Sequence, residues 1–232
     1  MLSFNNGKRR MIPYKDDNPQ LQVPYVTYAL IALNIVSWLW LQGLGAEGPL
    51  SRSICNYGLI PSDLWPAPDA GPGMCSTSGA GWFAVFSSMF MHGSWMHIVG
   101  NMWFLWVFGD NVEDAMGRLR FAVFYVLSGV AAAVAQVLSA PESLIPMVGA
   151  SGAIGGVMGA YIVLYPRVKV HLFVILLVIF TTFRVPAVAM LGYWIVVQLI
   201  GGFTSVGATG GGVEFLGSRR RFCVRSNFGV SF

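Results

Sequence analysis

Residues 92–109 read HGSWMHIVGNMWFLWVFG, a stretch that joins the apolar length of a membrane span to polar groups near its start. The span is expected to begin at about Ser94. His97 and Asn101 are four residues apart, so a helix places them on one face, one turn above the other. Polar groups inside a membrane are costly, which makes both candidates for function. Hydrogen bonding between spans is the structural alternative for the pair.

The composition around this stretch is that of a polytopic membrane protein. Of the 232 residues 55% are hydrophobic and 10% are charged, with a mean hydropathy of +0.63. Soluble domains carry about a quarter charged residues. The low charge also excludes a disordered chain and a nucleic-acid reader, because too few cations are present to neutralise phosphates. The 28 glycines suit membrane helices that pack closely.

The hydropathy pattern predicts five spans, each near the length that a bilayer core requires. The predicted spans are residues 23–44, 94–109, 121–138, 147–165 and 186–200. The loop over residues 45–81 is expected to contain half-buried interfacial helices, and residues 110–120 a charged connector. Residues 170–183 are apolar but short and β-branched, so they are expected either to lie in the interface or to run partly extended.

Basic residues predict the orientation of the spans. They concentrate in residues 1–22, in the connector, and between residues 167 and 184. By the positive-inside rule the N-terminal segment is cytoplasmic and the first loop external. The membrane domain then covers residues 23–213. Five spans leave the basic tail, residues 214–232, on the side where so many arginines are not expected.

Two further features of the sequence leave alternatives open. Cys55 and Cys75 fall in the first loop and either form a disulfide, if that loop faces an oxidising compartment, or remain two thiols. Ser151 lies in the sequence GASG, where the glycines leave its hydroxyl and backbone N–H approachable. It is either a reactive serine or a small residue at a helix contact, and the small-xxx-small repeat that follows supports close packing in both cases.

Taken together, these motifs resemble a known family. Residues 92–101 resemble the second-span signature of rhomboid intramembrane serine proteases, and residues 149–152 resemble their nucleophile motif. Residues 108–117, FGDNVEDAMG, are similar to the connector of bacterial members, and residues 165–167 and 185–187 also fit the bacterial pattern. The resemblance implies an all-α, polytopic bundle of six spans, of which five are recognisable here.

The resemblance also implies a role for each matching residue. Ser151 would be the nucleophile, and its N–H would form an oxyanion hole with the side chains of His97 and Asn101. Gly149 would allow the substrate backbone to approach. A structural role is implied for five other residues, namely His92, Glu113, Gly117, Gly152 and Gly156. No metal and no cofactor is implied.

The implied activity is endopeptidase cleavage in or near a transmembrane segment of another membrane protein. The implied setting is a multi-pass protein of the bacterial inner membrane, with a cytoplasmic N-terminus. The partners are transmembrane substrates and the lipid bilayer, with no nucleic acid. A transporter or channel is disfavoured because the spans hold few acidic residues and no internal repeat is visible.

The sequence departs from the family pattern at the general base. Rhomboids use a histidine from a sixth span, in a pattern like Ala-His-x-Gly-Gly, whereas the only histidines here are His92, His97 and His171. A DNA sequence compatible with residues 215–225, read one base later, encodes Trp-Ala-His-Val-Gly-Gly-Phe-Val-Ser. We therefore expect a frameshift near residue 214 that replaced the sixth span and its base. The alternative is a catalytically dead relative that binds membrane clients.

Overall fold

The computed structural model describes residues 10–16, 22–64, 75, 80–176 and 179–196. Helices occupy each of the five predicted spans, so the expected all-α bundle is confirmed. Helix α1 continues into a π-helical turn, Ser37–Leu41. The helices are α1 Tyr25–Val36, α2 Glu47–Tyr57, α3 Ala84–Ser87, α4 Trp95–Met116, α5 Arg118–Ser139, α6 Ser151–Leu164 and α7 Ala187–Val196. The expected sixth span and the basic tail lie outside the described residues.

Among the described helices, α5 alone is both long and apolar enough to cross a membrane by length and composition. The helices in the first, fourth and fifth predicted spans are apolar but shorter, between 10 and 17 residues. Helix α4 has 22 residues and carries acidic groups in its last turns. Helix α2 lies in the first loop, as expected for an interfacial element, with Leu50 and Ser53 buried.

The region between the fourth and fifth spans is extended, which was one of its two expected forms. Strands β2 Lys169–Leu176 and β3 Ile179–Pro186 form an antiparallel hairpin. A further strand, β1 Arg10–Asp16, pairs antiparallel with β2, giving the sheet order β1-β2-β3. Strand β1 was not expected, because the polar and basic N-terminal segment has no apolar alternation.

Two predicted boundaries differ from the structure. The connector over residues 110–120 is not a loop: α4 runs to Met116 and α5 starts at Arg118, with Gly117 alone between them. The left-handed φ of +80° at Gly117 makes this abrupt break possible. The fourth span begins as a helix at Ser151 rather than at residue 147, because Met147 pairs with Leu59 in a β-bridge.

Glu113 explains why α4 extends so far. Its side chain is 3% exposed and accepts hydrogen bonds from the backbone N–H groups of Val26 and Thr27, at 3.0 and 2.8 Å. The Thr27 hydroxyl donates to the same carboxylate at 2.9 Å. The N-cap position of α1 is Pro24, whose side chain cannot accept a hydrogen bond. Glu113 therefore caps α1 from a distant helix.

Close packing joins α5 and α6 through glycines. A β-carbon at Gly152 would overlap the side chain of Ala132, and one at Gly156 would overlap Ser128, both on α5. Gly155, on another side of α6, packs on Trp194 of α7, where an added β-carbon would lie 2.8 Å from the indole. Any larger side chain at Gly152 or Gly156 would therefore push α6 away from α5.

A disulfide joins Cys55 and Cys75, which decides between the two alternatives for these cysteines. Cys55 lies in α2, so the bond ties this helix to the later part of the first loop.

Replacing Glu113 by Gln should destabilise the chain. The amide offers one acceptor oxygen and no charge, so at least one donor at the start of α1 loses its partner. Hydrogen bonds to charged groups contribute about 1.5–3 kcal/mol, and the free energy of unfolding should fall by a similar amount. Thermal unfolding in detergent micelles measures this. Glu142→Gln, at an exposed position, is the control, and equal melting temperatures for the two variants would contradict the capping role.

The disulfide predicts a specific count of reactive thiols. The chain has 3 cysteines, so alkylation of the denatured, unreduced protein should add one label and alkylation after reduction should add three. Mass spectrometry of the intact chain, prepared from membranes with a thiol-blocking reagent present, gives both counts. Three labels without a reductant would show that Cys55 and Cys75 are not joined in the cell.

Candidate active site

Ser151 is the first residue of α6 and is half-buried. The first backbone N–H groups of a helix have no carbonyl partner within it, and they carry partial positive charge. An anion that formed beside Ser151 would therefore meet donors that the helix itself does not use. Ala150, which precedes Ser151, is fully buried and anchors this end of the helix in the core.

Gly149 brings the start of α6 against the two polar residues of α4. Its φ of +124° is open only to glycine, and its N–H donates to the Ser88 carbonyl at 2.9 Å. A β-carbon built on Gly149 would lie 2.6 Å from His97 Nε2 and 3.6 Å from Asn101 Nδ2. A side chain at this position would therefore clash, and the backbone beside Ser151 lies in contact with His97.

The surroundings of His97 determine which of its nitrogens can donate. Ser94 caps α4 by accepting a hydrogen bond from the His97 backbone N–H at 3.2 Å. The Gly93 N–H donates to His97 Nδ1 at 3.4 Å. Because an accepting Nδ1 carries no proton, a neutral ring must hold its proton on Nε2, the atom nearest Gly149. His97 thus presents a donor toward the start of α6.

Asn101 supplies a second donor on the same side. The side chain is 6% exposed, and Nδ2 has no hydrogen-bond partner in the part of the chain that the structure describes. A buried amide without a partner is costly, by about 1–3 kcal/mol. Such a group suits a site where an acceptor arrives during function. Two convergent N–H donors beside a serine are the geometry that stabilises an oxyanion.

The His92 ring packs against the His97 ring. The two rings meet edge to face with centroids 5.1 Å apart, and His92 is fully buried. Burial, and next the neighbouring His97, lower the pKa of His92 to about 3. Since His92 precedes α4 and is neutral at physiological pH, it contributes a packing surface and no charge.

Gln42, which no sequence motif marks, holds His92 in place. Its Nε2 donates to the His92 carbonyl at 2.6 Å, and its Oε1 accepts from the His92 N–H at 2.9 Å. Gln42 is fully buried just after the π-helical turn of α1. The only sequence signal was an uncharged polar residue at the end of an apolar span, which is common and indicates no particular role.

The structure does not bring His171 to Ser151. His171 lies on β2, in register between Lys15 and Arg184 on the flanking strands. This strand follows the C-terminal end of α6, whereas Ser151 is its first residue. A helix of 14 residues rises about 20 Å at 1.5 Å per residue, which separates the two side chains by far more than a hydrogen bond.

The described residues contain no group of three or more His, Cys, Asp or Glu side chains placed to hold a metal ion. The candidate site is the convergence of Gly149, Ser151, His97 and Asn101, with His92, Gln42 and Ser94 as its supports.

Comparison with known proteins identifies a family and several relatives. A family model described as the Rhomboid domain matches residues 79–217. Rhomboid protein 1, mitochondrial, from Saccharomyces cerevisiae is 33% identical over 153 residues, which are 64% of this chain and 39% of that protein. The putative rhomboid protease YdcA from Bacillus subtilis is 26% identical over 139 residues, 60% of this chain and 61% of that protein.

A third relative, the chloroplastic Rhomboid-like protein 11 of Arabidopsis thaliana, is 35% identical over 75 residues, 32% of this chain and 26% of that protein. The chain thus spans from about a quarter to three fifths of the length of these relatives. Because they come from bacteria and from organelles of eukaryotes, the resemblance to bacterial members in particular is not confirmed. The family model covers more than half of the chain, and the chain therefore belongs to the rhomboid family of integral membrane proteins.

Proposed function

We propose that this site is the nucleophile and oxyanion hole of an intramembrane serine endopeptidase, and that this chain lacks the general base needed for turnover. The observation that carries the proposal is the contact of His97 with Gly149, two residues before Ser151. This contact supports a half-buried donor beside the serine at a helix N-terminus. Asn101, with its Nδ2 group available, strengthens the assignment.

In the proposed reaction Ser151 Oγ attacks the carbonyl carbon of a peptide bond. The carbonyl oxygen becomes an oxyanion, which accepts hydrogen bonds from the Ser151 N–H, His97 Nε2 and Asn101 Nδ2. Each such donor contributes about 3–4 kcal/mol to transition-state stabilisation. The Ser151 proton must pass to a base, and that base must then protonate the leaving amine as the C–N bond breaks.

No histidine of this chain is suited to take that proton. His97 is committed as a donor in the proposed oxyanion hole, and His92 is buried against it. His171 lies past the opposite end of α6. We therefore propose that the base belongs to a sixth span that a frameshift near residue 214 has replaced with the basic tail.

The proposed substrates are transmembrane segments of other membrane proteins. A helix in the bilayer has every backbone group hydrogen-bonded internally, so its peptide bond must unwind before Ser151 can attack. Small or helix-breaking residues in the substrate would ease this step. We propose that the site faces the non-cytoplasmic side, as does the first loop, and that the N-terminal segment is cytoplasmic. We also propose that the protein resides in a bacterial inner membrane.

A second candidate is a non-cleaving protein that holds transmembrane clients. The missing base supports it. The arrangement of the site disfavours this candidate. A protein that no longer cleaves has no need for His97 and Asn101 to lie against Gly149, next to Ser151.

The base hypothesis predicts opposite activities for two forms of the chain. Reconstituted in liposomes with a single-span reporter that carries small residues near one end of its span, the chain as given should not cleave. A frame-restored chain, read one base later from codon 214, should cleave at least about 100-fold faster, since general acid–base catalysis contributes at least that much. Ser151→Ala in the restored chain should abolish cleavage.

Two results would contradict this proposal. Cleavage by the chain as given, abolished by Ser151→Ala, would mean that another group serves as the base. An inactive restored chain that nevertheless retains the reporter after detergent extraction, with or without Ser151→Ala, would favour the client-binding alternative.

Gln42→Ala should slow catalysis without weakening substrate binding. In the frame-restored chain this variant frees the His92 backbone, so the His97 ring loses its support and the oxyanion donor is displaced. We expect kcat to fall about tenfold with KM little changed, a smaller loss than removal of a donor causes. Reporter cleavage at several concentrations measures both constants. Gln136→Ala, exposed on α5, is the matched control, and equal kcat values for the two variants would exclude the positioning role.

A further inference from the structure

Helices α1 and α4 leave a groove between them that the proposed function does not use. Its volume is about 590 Å³, and no charged side chain lines it. Four of its residues come from α1 with its π-helical turn, and six come from α4. They are Ile31, Ile35, Trp38, Leu39, Trp95, Ile98, Val99, Met102, Trp103 and Trp106. Apart from the indole N–H groups of its tryptophans, the lining is apolar.

Aromatic pairs mark the two ends of the groove. At one end Trp38 meets Trp95 edge to face, with ring centroids 5.2 Å apart. At the other end Tyr28 stacks on Trp106 at 5.5 Å. Trp95 is the first residue of α4, so this end lies where both helices end, beside the first loop. From Trp95 to Trp106 a helix rises about 16 Å, close to half of a bilayer core of about 30 Å.

Trp38 is one of four tryptophans in the lining, and its indole N–H is the one that is buried without a partner among the described residues. The side chain is 2% exposed, and its Nε1–H has no hydrogen-bond partner in the described part of the chain. The residue lies in the π-helical turn Ser37–Leu41, a local form often found at functional sites. Gly45 holds the ring from one side, since a β-carbon there would lie 2.9 Å from Trp38 Cζ2. The indole is thus fixed in place with an unused donor.

We propose that the groove binds one acyl chain of a glycerolipid from the leaflet on the side of the first loop, with the lipid's ester carbonyl accepting a hydrogen bond from Trp38 Nε1–H. The groove has the depth of one leaflet, and Trp38 lies at the end where ester groups are found. The carbonyl oxygen of an ester can accept the hydrogen bond that Trp38 Nε1–H donates to no other described group.

A transmembrane helix is a poorer occupant of the same groove. Its backbone carbonyls are already bonded within the helix, so they cannot satisfy Trp38. The proposal does not depend on the proposed function. The lipid would nevertheless pack against Ile98 and Met102, which adjoin His97 and Asn101 on α4.

Native mass spectrometry of the full chain released from detergent micelles tests the proposal with two matched probes. These are dioleoyl phosphatidylcholine, whose chains are ester-linked, and its ether-linked counterpart, which lacks the carbonyls. The chain should bind the ester lipid about two- to tenfold more tightly, the value of one neutral hydrogen bond. Trp38→Phe should remove this preference and leave the affinity for the ether lipid unchanged.

Two further variants keep the test decisive if Trp38→Phe folds poorly. Trp40→Phe, two residues away at a 75% exposed position outside the groove, should retain the preference. Ile35→Trp fills the groove and should weaken binding of both lipids at least tenfold, whereas Val123→Trp on the exposed face of α5 should not.

Equal binding of the two lipids by the unmodified chain would overturn the ester contact. Unchanged binding by Ile35→Trp, or displacement of the lipid by a single-span peptide, would overturn the assignment of the groove.

Discussion

The close approach of α6 to α4 and α5 is the constraint on which the candidate site depends. On one side Gly152 and Gly156 let α6 touch α5, and on another Gly149 lets the chain before α6 touch His97. Each contact excludes even a methyl group. Because α6 is held in this way, a hydroxyl at its first residue and two donors on α4 have a fixed relation without any direct bond between them.

A second set of hydrogen bonds holds the other helices to this centre. Glu113 fastens the start of α1 to the last turns of α4, and Gln42 fastens the end of α1 to the backbone of His92. Both side chains are buried and both replace partners that water would supply in a soluble protein. Helix α1 is thereby attached at both ends by polar contacts, and the apolar groove lies between them.

Much of the fold could be predicted because apolar length and polar spacing are strong signals in membrane proteins. All five predicted spans contain helices, and Ser94 was correctly expected near the start of the second. The helical continuation through residues 110–116 could not be predicted, because its acidic residues are typical of a loop until the partner of Glu113 is known. Strand β1 was missed for a similar reason, since its pairing with β2 is a long-range contact.

The candidate site shows the same division. The spacing of His97 and Asn101 indicated a shared helix face, and the glycines around Ser151 indicated an approachable backbone. The two segments meet at Gly149 in a tertiary contact. Their separate motifs predicted this contact only through the resemblance to a known family. Gln42 gave no signal because its role lies in two bonds to the backbone of a residue 50 positions later in the chain.

The sheet has a consequence for the order in which the chain can fold. Asp16 of β1 pairs with Val170 of β2, and four predicted spans lie between them in the sequence. At synthesis rates of about 5–20 residues per second, β1 has no partner for roughly 10–30 s after it is made. Insertion of the first four spans therefore comes first, and the sheet then joins the N-terminal segment to the region before the fifth span.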